Sequence, residues 1–120
     1  LVENSIWYIA YQEIKNANNA IAGLNQSQTL TPSIKDQLLG EAKFIRALTY
    51  FYLVNLFGDV PMPLTADADY ATNAILPRTP AADVWKQIIT DLSSYPRSTF
   101  SKIRIEKIMS DRKDHLVSSF

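Results

Sequence analysis

Cysteine is absent from the 120 residues. That excludes disulfides, thiolate metal centres, cysteine nucleophiles and a lipid-modified cysteine within this chain. Histidine occurs once, at His115. With no second ligand or triad partner beside it, His115 is expected at the surface, and no metal site or Ser–His–Asp arrangement is expected. Glycine occurs three times, each time ending or interrupting a helical pattern, so no glycine-rich loop is present to hold a phosphate or a nucleotide cofactor. The formal net charge is zero, which argues against a nucleic-acid partner held by bulk electrostatics. No signal-peptide pattern stands at the N-terminus. The chain opens on Leu1-Val2 without methionine, as a mature or trimmed piece would.

What is present is ordinary globular material: 47% hydrophobic and 20% charged residues, enough for one small domain with a modest core. Charge is unevenly spread. Residues 1–96 carry six basic and nine acidic side chains, a net of −3, and residues 97–120 carry six basic and three acidic, a net of +3. Such a terminal cluster reads as a solvated segment.

The spacing of apolar residues predicts three helices. Ile6, Ala10, Ile14, Ala17, Ile21 and Leu24 follow one face of a helix over about 3–22. Trp7 and Tyr11 widen that face, Asn4 or Ser5 is positioned to cap the start, and Gly23 suits the left-handed position past the end. The second helix, 32–57, opens on Thr31-Pro32, a capping hydroxyl followed by proline at the first helical position. Its apolar series is Ile34, Leu38, Ala42, Ile45, Leu48, Tyr52 and Leu56, and Gly58 and Pro61 stop it. About twenty uninterrupted apolar residues are needed to span a bilayer, and Lys43 and Arg46 break this run near its start. It therefore reads as a core helix. Residues 58–79 hold three prolines and no sustained period, an ordered connection. Thr79-Pro80 starts a third helix over about 80–95, with Ala81, Val84 or Trp85, Ile88, Leu92 and Tyr95 on its face and Pro96 at its end. Lys102–Ile108 fits either a strand or a poor helix, and the remainder of 97–120 reads as a frayed basic tail. The expected class is all-α: a tetratricopeptide-like helical hairpin with a seven-to-ten-residue link, plus a further helix, cut from a larger helical fold.

GEAKFIRALTYFYLVNLFGDVPMPL, residues 40–64, resembles the signature of the SusD/RagB family, outer-membrane nutrient-binding lipoproteins of Bacteroidetes. The resemblance is carried by Gly40, Glu41, Ala42, Lys43, Phe44, Arg46, Ala47, Tyr50, Phe51, Leu56, Phe57, Gly58, Asp59, Val60 and Pro61. Two further segments agree in order and distance: Trp7 through Asn18-Asn19-Ala20-Ile21, and Arg78-Thr79-Pro80 through Val84, Ile88 and Asp91-Leu92. The match covers about residues 5–95 and fades afterwards, where Arg104-Ile105-Glu106-Lys107 departs from the family pattern. What the resemblance implies is a non-catalytic, cell-surface glycan-binding subunit that closes over a SusC-like TonB-dependent transporter. It also implies a lipidated cysteine upstream of this chain. Membership further implies an oligo- or polysaccharide ligand and no cofactor. A free-standing helical adaptor for a protein partner is the alternative, and nothing in the residue inventory favours an enzyme.

Sugar recognition needs flat aromatic faces with polar side chains around them. Phe44, Tyr50, Phe51, Tyr52 and Phe57 lie on a helix whose period demands burial, and Trp7, Tyr8 and Tyr11 read as helix contacts. That leaves Tyr70, in a polar stretch between Asp69 and Ala71, as the aromatic best placed for a ligand. Asp67 and Asp69 suggest a calcium loop, but Ala71, Thr72 and Arg78 stand where such a loop needs an oxygen ligand, glycine and glutamate. Asn25-Gln26-Ser27 is a glycosylation sequon by form only. Arg46 is expected to reach Asp59 or a helix-end carbonyl, as an ion pair that orients helices. Gly40 within a helix costs roughly 1 kcal/mol against alanine, which suggests a second backbone passing close by. Exposed apolar faces in a piece of a larger fold favour self-association.

Overall fold

A computed structural model describes residues 2–66, 77–94, 107 and 109–114. Three helices carry the fold: α1, Val2–Gln26; α2, Pro32–Phe57; and α3, Ala81–Ser93. Among the described residues there is no strand, only one antiparallel bridge between Val60 and Thr79. The class is all-α, as the sequence predicts.

α2 is the central element. Trp7 near the start of α1 meets Phe57 at the end of α2, ring centroids 5.0 Å apart, so the two helices run antiparallel. Phe51 of α2 meets Trp85 of α3 edge-on at 5.6 Å, while Arg46, five residues earlier, reaches Asp91 further along α3. α3 is therefore antiparallel to α2 as well. The core lies along this three-helix contact: Tyr11 and Ile14 from α1; Ala47, Tyr50, Leu53 and Val54 from α2; Val84, Trp85, Ile88 and Leu92 from α3.

Several expectations are corrected. α1 is already helical at Val2 and continues to Gln26, so Asn4 and Ser5 are not caps and Gly23 lies inside the helix. Gly23 keeps a negative φ, and glycine stops a helix only where the chain turns left-handed. The link to α2 thereby shortens to residues 27–31, a tighter turn than the seven to ten expected. The Thr31 side chain makes no capping hydrogen bond, although Pro32 does open α2. Pro80 is the N-cap of α3, not its first helical residue. Tyr95 and Pro96, expected to end that helix, lie outside the described residues.

The larger correction concerns which face of α2 is buried. The helix buries Gly40, Ala42, Arg46, Ala47, Tyr50, Leu53 and Val54, while Ile34, Leu38, Ile45, Tyr52 and Leu56 of the expected apolar series are exposed. Tyr8 of α1 is exposed too. An almost wholly apolar helix fits more than one stripe of period 3.6. Ala42 and Ala47 let neighbouring helices approach closely, and Arg46 must meet its buried partner, so these residues choose the inward face. The 97–120 segment also contributes to the core: residues 109–114 are helical, Met109 packs into the core cluster, and Arg112 Nε donates to Asn55 Oδ1 at 3.2 Å.

Gly58 ends α2 with φ +72° and donates its N–H to the Val54 carbonyl. A Cβ placed there would meet nothing within 4 Å, so the requirement for glycine is conformational and not steric. Gly58→Ala should lower stability by about 1–3 kcal/mol, the cost of holding an L-residue in a sparsely populated positive-φ conformation. Urea unfolding followed by circular dichroism measures this.

Candidate functional site

The turn after Gly58 leads into an extended stretch, Val60–Leu64, whose two prolines donate no hydrogen bond and whose carbonyls therefore must find partners elsewhere. They find side chains. The Tyr11 hydroxyl donates to the Pro61 carbonyl at 2.6 Å, and the Tyr50 hydroxyl donates to the Pro63 carbonyl at 2.7 Å. Asn18 Nδ2 donates to the same Pro63 oxygen at 3.2 Å, and Arg46 Nη1 donates to the Leu64 carbonyl at 3.3 Å. Four side chains from α1 and α2 thus hold three carbonyls of one strap, those of Pro61, Pro63 and Leu64, across the helices.

Arg46 is the hub. Its Nε and Nη2 form a two-pronged pair with Asp91 Oδ2 and Oδ1, both at 2.8 Å. Its Nη1 also donates to Asn18 Oδ1 at 3.0 Å, which leaves the Asn18 amide nitrogen aimed at the strap. Gln87 Nε2 gives Asp91 Oδ1 a further bond at 3.0 Å. Arg46, Asp91 and Asn18 are all buried. Planar guanidinium against carboxylate is the geometry that best repays the cost of desolvating two charges. With both oxygens of Asp91 occupied, this centre orients backbone and is not offered to a substrate.

The connection is tied at its other end too. Thr79 N–H donates to the Val60 carbonyl at 2.9 Å, and Arg78 Nη1 donates to the Asp59 carbonyl at 2.8 Å. Asp59 Oδ1 accepts from the Ala81 N–H at 2.8 Å, so it caps α3 from 22 residues away. Asp59 is therefore a helix cap, and the expected pairing of Arg46 with Asp59 is replaced by the pairing with Asp91. Asp59 Oδ1 is already committed to α3, whereas Asp91 faces Arg46 across the α2–α3 contact.

The structure brings Trp7, Asn18, Ala42, Arg46, Ala47, Gly58, Asp59 and Pro61 into this one framework, in the core, at the strap or at its ends. Trp7 is half-buried, stacked near Tyr11 and under the Arg78 guanidinium, 5.5 Å from the ring centroid. Gly40 is buried in α2. Asn19 and Glu41 face solvent, Glu41 accepting from Gln37 at 3.5 Å. Tyr70, Asp67, Asp69 and His115 lie outside the described residues. Sequence reasoning passed over Asp91 as a partner of Arg46. A carboxylate one turn after Ile88, beside Leu92 on a buried stripe, implies a buried cation, and that signal was available. The roles of the Tyr11 and Tyr50 hydroxyls were hidden by their rings, which fit simple packing. Among the described residues no group of three or more His, Cys, Asp or Glu side chains is placed to hold a metal ion.

A family model described as starch-binding and associating with the outer membrane, SusD-like, matches residues 2–114. The chain belongs to the SusD-like family. "SusD-like protein P2" of Formosa agariphila is 38% identical over 92 residues, which cover 74% of this chain and 17% of that protein. The chain thus spans less than a fifth of that curated relative. A SusD superfamily protein from Parabacteroides distasonis superposes with a TM-score of 0.69 at 35% identity, over 76% of this chain and 19% of that one. Surface glycan-binding protein A from Bacteroides uniformis gives a TM-score of 0.65 at 26% identity, over 75% and 19% of the respective chains. The SusD-like helical scaffold, a piece of a larger fold, is what these similarities share.

Removing one member of a buried ion pair strands the other. Arg46→Met should cost about 3–5 kcal/mol, and the double variant Arg46→Met/Asp91→Leu much less than the two single losses combined. Tyr50→Phe should cost about 1 kcal/mol for the loss of its hydrogen bond to the Pro63 carbonyl. Equilibrium urea unfolding of the variants gives all of these values.

Proposed function

We propose that this chain is the helical scaffold of a non-catalytic, SusD-like protein that binds an oligo- or polysaccharide at the cell surface. In that reading it assists import through a SusC-like TonB-dependent transporter and is held at the outer membrane by a lipidated cysteine upstream. The observation that carries the proposal is the family match over residues 2–114, supported by the likeness to a surface glycan-binding protein. The clamp adds a physical reason. The segment between Ala66 and Pro77, which contains Tyr70, leaves and re-enters the helices at two fixed points, the carbonyl clamp and the Val60–Thr79 bridge. A ligand-contacting segment works from such a rigid base. Tyr70 is the proposed stacking residue, with further glycan contacts from the parts of a SusD-like protein beyond this chain. Among the described residues no helix is long and apolar enough to cross a membrane, and the proposed anchoring needs none. The alternative, a helical adaptor for a protein partner, draws no support from the relatives.

Affinity gel electrophoresis of a full-length SusD-like protein carrying this chain, run in a panel of polysaccharides, tests the reading. At least one polysaccharide should retard the protein, with no release of reducing ends. Tyr70→Ala should weaken that retardation severalfold. Unretarded migration in every gel would remove the glycan reading, and reducing-end release would replace binding with hydrolysis.

A further inference from the structure

We draw no further inference here: the strongest candidate, the exposed apolar patch on the outer face of α2 formed by Ile34, Leu38, Ile45, Tyr52 and Leu56, carries nothing, because nothing in the structure shows what covers it.

Discussion

The two-pronged contact between Arg46 and Asp91 is the constraint on which the rest of the structure depends. It joins the middle of α2 to the last turn of α3, and its remaining donors reach Asn18 on α1 and the carbonyl of Leu64. One guanidinium therefore touches three helices and the strap. A hydrophobic contact in its place would tolerate sliding by a fraction of a turn. A planar fork does not, since each N–H has one direction in which its acceptor must lie. The apolar core supplies most of the cohesion here, and the arginine supplies register.

That division of labour explains the composition of the inward face of α2. Around Arg46 stand Ala42 and Ala47, small enough to let neighbouring backbones come near, and Tyr50, whose ring packs while its hydroxyl serves the strap. Larger aliphatics at those positions would hold the helices apart and lengthen the buried hydrogen bonds. Ile34, Leu38, Ile45, Tyr52 and Leu56 stand on the other side, facing solvent.

The sequence was legible where a signal was singular and obscure where signals competed. Gly58, a lone glycine between an apolar run and prolines, marked the end of α2 correctly, and Pro32 marked its start. Gly23 carried the same formal signal, yet its backbone stays helical, because a glycine permits a turn without compelling one. The direction of α2 was unreadable from periodicity, since Ile45 and Ala47 are both apolar and only the partners across the interface distinguish them. Arg46 was visible as an anomaly on an apolar helix, but its partner requires knowing that α3 folds back antiparallel. The hub residue could be read locally; its acceptor is 45 positions away.

Asp59 and Val60 do one further thing. Between them they finish the exit from α2, cap the start of α3 and bridge to Thr79, so the chain that departs after the strap returns within hydrogen-bonding distance of its point of departure. The excursion between is topologically a closed loop mounted on two neighbouring residues. Doubling the length of such an insert costs only about 0.6 kcal/mol in closure entropy, and neither helix would register the change. An insert of other length or composition at this point would leave the packing of the helices beneath it in place.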